Sequence, residues 1–86
     1  MNNITKYSNQ LNVIGNKIKY YRTKRNLSQA GLSNKLLLLG IDIPKNSIQR
    51  IESGDRIIKD YELAGFSKVL KVSTDILLLD FFKELE

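Results

Sequence analysis

The chain of 86 residues contains no cysteine and no histidine. Disulfide staples, thiolate and imidazole metal ligands, and every Cys-His or Ser-His nucleophile pair are excluded with them. What remains is hydroxyls, carboxylates, amines and guanidiniums, and paired carboxylates on so small a scaffold are usually solvated surface. An enzyme is therefore not expected, nor a cofactor, a metal or a small-molecule ligand. Proline occurs once, at position 44, and glycine at 15, 31, 40, 54 and 65. No stretch alternates apolar and polar residues between turn dipeptides, which argues against hairpins and for an all-α domain. The longest apolar runs, Leu36 to Leu39 and Ile76 to Leu79, fall far short of the ~20 residues that cross a bilayer. Met1 to Gln10 lacks the apolar centre of a secretory signal. The expectation is a cytoplasmic protein without membrane contact, and its length allows one small domain.

The charge is unevenly spread. The net value is +5, with 14 Lys and Arg against 9 Asp and Glu. Residues 1 to 59 hold 11 of those bases and three acids, Asp42, Glu52 and Asp55, whereas residues 60 to 86 carry three bases and six acids. One side of the molecule is thus suited to a polyanion while the other is not. A basic soluble domain with no polyanion partner is the lesser alternative on charge alone.

Helical spacing of apolar residues runs through the chain. After a polar arm over residues 1–12, expected to be flexible, a first helix spans about Val13 to Arg25, with Ile14, Ile18 and Tyr21 as its inner stripe. Asn26 suits the left-handed residue that ends a helix, and Ser28 suits the N-cap of a second. The second helix places Leu32, Leu36 and Leu39 inward and stops at Gly40. A third starts at Pro44, whose missing N–H costs nothing in a first turn, and closes at Ser53 and Gly54. A fourth runs from an Asp60 cap to about Lys71, with Leu63, Phe66 and Leu70 inward. Ser73 or Thr74 caps a fifth, which carries Ile76, Leu77, Leu78, Phe81 and Phe82.

The third helix, 44–53, holds the informative pattern. At about 100° per residue, Ile48 and Ile51 share one narrow face while Lys45, Asn46, Gln49 and Arg50 spread over the opposite side with no acid among them. Arg and Lys match guanine O6 and N7, and Asn and Gln match adenine N6 and N7. Most such faces, taken alone, are merely solvated helix surface. Its setting adds weight: a short helix ending in glycine, preceded by one that opens with Ser-Gln in a basic half, is the layout of a helix-turn-helix.

Five segments in order, Ile14-Gly15-Asn16-Lys17-Ile18, Tyr21-Arg22, Asn26-Leu27-Ser28-Gln29, Ser47 to Gly54, and Val69 to Leu77, resemble the phage-repressor and Cro-like (Xre-type) helix-turn-helix family. The resemblance covers about residues 13 to 79. It implies a compact five-helix, lambda-repressor-like DNA-binding domain with helices 2 and 3 as the motif, acting on double-stranded DNA as a homodimer at a palindromic operator. It makes Lys45, Asn46, Gln49 and Arg50 base readers, and Gln29, Ser47, Ser53, Gly54, Arg56 and Lys59 phosphate contacts. It also makes Arg22 and Glu52 an ion pair that joins the first helix to the third. The DNA-binding part is then 13–72, with 73–86 a C-terminal helix available for dimerisation. Apolar residues nearly all around that helix, Leu77, Leu78, Leu79, Phe81 and Phe82, exceed what one small core can cover. Of these, Leu78, Phe81 and Phe82 are the expected interface.

Three features depart from the family pattern. Leu37 to Asp42 lengthens the connection between helices 2 and 3, Gly31 stands inside helix 2, and Pro44 replaces the usual Ser or Thr cap. A protein-interaction module, antitoxin-like or an adaptor, using the same basic face is the alternative. Salt dependence separates the two, because each neutralised phosphate contributes a slope of about −0.9 in log affinity.

Overall fold

The computed structural model describes residues 9–86. Among them there is no strand; the elements are α1 (Gly15–Lys24), α2 (Gln29–Leu38), α3 (Lys45–Glu52), α4 (Asp60–Leu70), α5 (Thr74–Leu77) and α6 (Leu79–Glu84). α3 packs on both α1 and α2, and α4 closes the other side of that pair. The core is aliphatic with one aromatic: Ile14, Ile18, Leu32, Leu36, Ile43, Ile48, Ile51, Phe66, Leu70 and Leu77 are buried. No described helix is long and apolar enough to cross a membrane.

Local chemistry sets the boundaries. Asn26 takes φ 58°, turning the chain out of α1, and the Ser28 hydroxyl then accepts the Gly31 N–H at 2.9 Å to start α2. Gly40 at φ 81° ends α2, with Ile41 N–H returning to Leu36 O at 3.0 Å. The long connection is pinned rather than loose. Ser33 Oγ donates to Ile43 O at 2.6 Å, and Ile43 is fully buried.

Several expected details differ. Leu39 lies beyond the last turn of α2 and is exposed, while Ile41 and Ile43 supply the inward contacts expected of it. Tyr21 and Leu63 pack on the core only partly buried. Pro44 is the N-cap of α3 and not its first helical residue, so the helix begins one place later than expected, at Lys45. α4 is capped by Lys59 rather than Asp60, because the Glu62 carboxylate reaches back to accept the Lys59 N–H at 2.9 Å. The expected fifth helix is two, divided at Leu78, and no glycine or proline marks the break. Leu77 belongs to the core and not to an outer surface.

The expected arm falls mostly outside the described residues, but its far end is anchored. Leu11 N–H donates to Gly54 O at 2.9 Å. Asn12 Nδ2 donates to Ile51 O and Arg56 O at 3.0 and 2.9 Å, while its Oδ1 accepts the N–H groups of Ile14 and Gly15.

Candidate nucleic-acid interface

α3 is held by its apolar face and exposed on its polar one, where Arg50 Nη2 reaches Asp55 O at 3.4 Å. Ile48 and Ile51 are fully buried. Lys45, Asn46, Gln49 and Arg50 are all exposed, and Ser47 is half-buried at the edge of the face. Eight residues are too few for a stable isolated helix, so its pose depends on what grips its two ends.

At the N-terminal end, Pro44 and buried Ile43 set the entry. At the C-terminal end, α1 starts almost in contact with the last turn: a Cβ on Gly15 would stand 2.2 Å from Ile51 O. The Ile51 carbonyl accepts the Gly54 N–H at 3.0 Å, and Asn12 Nδ2 adds a second donor to it at 3.0 Å. Gly54 at φ 82° then turns the chain away, with Asp55 N–H bonded to Arg50 O at 2.8 Å.

A polar knot ties α3 to the two preceding helices. Arg22 Nε donates to Glu52 Oε2 at 2.6 Å and its Nη2 to Oε1 at 3.1 Å, a two-pronged pair with side chains 11% and 4% exposed. Arg22 Nη1 also donates to Leu27 O at 2.8 Å. Gln29 Nε2 donates to Glu52 Oε1 at 3.0 Å, so the first residue of α2 shares the same carboxylate. One Glu52 side chain thus joins α1, α2 and α3.

The expected phosphate contacts divide. Gln29 is half-buried at the start of α2, beside the Ser28 cap. The Ser53 hydroxyl lies at hydrogen-bond distance from Arg50 O and Asp55 Oδ2, both 3.0 Å. Arg56 is committed elsewhere: its Nη1 and Nη2 grip Glu62 at 3.0 and 3.1 Å, and Nη1 also reaches Ile57 O. The hydrogen bond to Glu62 raises the Arg56 pKa further, against the lowering effect of burial. Burial pushes the Glu62 carboxyl up, but the Arg56 hydrogen bond and the Lys59 N–H outweigh it and hold its pKa below the ordinary carboxylate value. Lys59 is exposed, its ammonium 5.9 Å from the Tyr61 ring centroid.

Sequence reasoning missed Asn12, Gly15 and Ser33 as supports of the recognition face. Asn12 was readable, since Asn is a preferred helix-capping residue and stands just before the periodic stretch. Gly15 and Ser33 act through contacts with residues far along the chain, and nothing local announces them.

The described residues contain no group of three acidic side chains placed to hold a metal ion. The helix-turn-helix family model matches residues 18–77, more than half of the chain. No curated protein matches it in sequence. Among solved structures, the chain is similar to the SinR master regulator for biofilm formation, determined in complex with DNA: 31% identity, TM-score 0.65, over 77% of this chain and 98% of that one. α6 lies beyond the family match. The all-α core, the exposed acid-free face of α3 and these likenesses agree, and the chain belongs to the Xre/Cro-like helix-turn-helix family of DNA-binding transcriptional regulators.

Proposed function

We propose that the protein is a sequence-specific repressor that lays α3 in the major groove of a palindromic operator as a homodimer. The observation that carries this reading is the α3 face itself. Lys45, Asn46, Gln49 and Arg50 are exposed, no acid interrupts them, and Ile48 and Ile51 fix the opposite side. Arg50 and Lys45 suit guanine, and Asn46 and Gln49 suit adenine. Gln29 at the start of α2, with Ser47, Ser53 and Gly54 around α3, positions the domain on phosphate, and those contacts set register without reading sequence. Arg56 serves the fold through Glu62 and is not among them.

A second copy related by two-fold symmetry places the two recognition helices about 34 to 36 Å apart, on successive turns of one duplex face. Leu78, Phe81 and Phe82, in the acidic C-terminal part, belong to the contact between copies. Selection of bound sites from random duplex DNA tests the whole reading. A two-fold symmetric consensus supports it, and recovery of unrelated sequences refutes it.

A further inference from the structure

The connection that is longer than the family pattern carries three consecutive exposed apolar side chains, the one such run among the described residues. Leu37, Leu38 and Leu39 are 56%, 86% and 46% exposed. They stand on a fixed backbone. Leu39 and Gly40 donate their N–H groups to Leu36 O and Leu37 O, both at 2.9 Å, Ile41 is seated against Gly65 of α4, and Ser33 holds Ile43. An exposed charge of each sign brackets this tip. Lys35, one turn before Leu38 and Leu39, and Asp42, two residues past Gly40, are the only charged residues from 34 to 43. Neither side chain has an ion-pair partner among the described residues.

We propose that Leu37 to Leu39 form the contact through which copies bound at neighbouring operators touch, tip against tip, so that tandem sites fill cooperatively. The inference rests on the operator-binding reading above, and it uses none of the residues assigned there to DNA or to the homodimer. Charge selects a second copy as the occupant. A two-fold axis through the leucines sets Lys35 of each copy against Asp42 of the other, so the patch is complementary to itself. Size selects the place. Three leucines offer far less than the ~800 Å2 a side of a stable complex, so the tip does not hold two molecules together in free solution. Neighbours on one duplex are tethered at an effective concentration in the millimolar range, where so small a contact suffices. Position agrees, since only residues 41–44 separate Gly40 from the first residue of α3. With α3 in the groove, the tip stands beside the duplex, where the neighbour also sits.

The test titrates duplexes that carry one selected consensus site, or two at centre spacings varied one base pair at a time. Full-length parent, Leu38→Gln, Lys35→Asp and the reversed pair Lys35→Asp/Asp42→Lys are compared at one salt concentration. For the parent, occupation of one site should favour the second by roughly tenfold. That factor should appear at spacings that set both sites on one face of the duplex, and vanish when half a turn, about 5 base pairs, is added. Leu38→Gln and Lys35→Asp should lose the factor while keeping single-site affinity within about twofold, and the reversed pair should regain it. Independent filling of the two sites by the parent at every spacing overturns the proposal. Cooperativity that survives Leu38→Gln, or that the reversed pair fails to restore, overturns it equally. A parent that fails on the one-site duplex refutes the operator-binding reading itself and this inference with it.

Discussion

Glu52→Gln is the sharpest perturbation of the fold because it changes one oxygen at the point where three helices meet. The carboxylate is 4% exposed and accepts from Arg22 Nε, Arg22 Nη2 and Gln29 Nε2. Glutamine keeps the shape but replaces one acceptor oxygen with an NH2 that faces donors. Arg22, 11% exposed, is left charged without its counterion. Removing one member of a buried pair costs about 3 to 5 kcal/mol, whereas an exposed pair is worth at most about 1. Total stabilities of roughly 0.05 to 0.15 kcal/mol per residue make that a large share for a chain of this length. The urea midpoint should therefore fall steeply with little change in slope, and Tm should drop by more than about 10 °C. A double-mutant cycle with Arg22→Met should return a coupling of at least about 2 kcal/mol, since an uncharged side chain at position 22 no longer strands a charge. A Glu52→Gln midpoint within about 0.5 kcal/mol of the parent would refute the claim that this knot holds the recognition helix.

Two glycines contrast close contacts with backbone and with side chain. Gly15→Ala sets a Cβ 2.2 Å from the Ile51 carbonyl, which cannot yield, and should cost at least about 1 to 3 kcal/mol in urea unfolding despite alanine's better helix propensity. Gly65→Ala meets Ile41 Cδ1 at 2.5 Å, the far end of a side chain, and should cost less. Asn12→Ala removes four hydrogen bonds, two at the start of α1 and one each to Ile51 O in α3 and to Arg56 O, and should destabilise by about 1 to 3 kcal/mol, read by thermal unfolding. Glu62 gives an acid limb. Its folded pKa is lowered, so the unfolded chain takes up the proton first, near pH ~4.3. Its contribution is full above that pH and lost as pH falls through the lower folded value. Glu62→Gln should accordingly show a shallower loss of stability below about pH 4 than the parent, followed by circular dichroism.

Helix periodicity made the architecture readable because the apolar residues that define it are local signals: Ile14 and Ile18, Leu32 and Leu36, Ile48 and Ile51, Phe66 and Leu70 are all buried. The polar face of α3 was readable for the same reason, since the positions of its buried isoleucines determine which residues point out. What was not readable depends on distant partners. Nothing near Arg56 in the sequence distinguishes a guanidinium that grips Glu62 from one left for phosphate. The Lys59 cap of α4 depends on a carboxylate three residues on, and Asp60, the better capping residue by type, drew the boundary one place too far. The division at Leu78 has no residue-type signature, since neither glycine nor proline stands there.

The central claim is that α3 reads bases through its exposed polar face, and Arg50→Ala tests it most directly. Binding of parent and variant is measured by titration, at one fixed salt concentration, to a duplex carrying the selected consensus and to a scrambled duplex of equal length. Loss of a bidentate base contact costs about 1 to 3 kcal/mol, a drop of roughly 5- to 150-fold on the consensus, with little change on the scrambled duplex and relaxed preference at one base pair. An equal loss on both duplexes would mean that Arg50 meets only phosphate, and direct readout by this face would be contradicted.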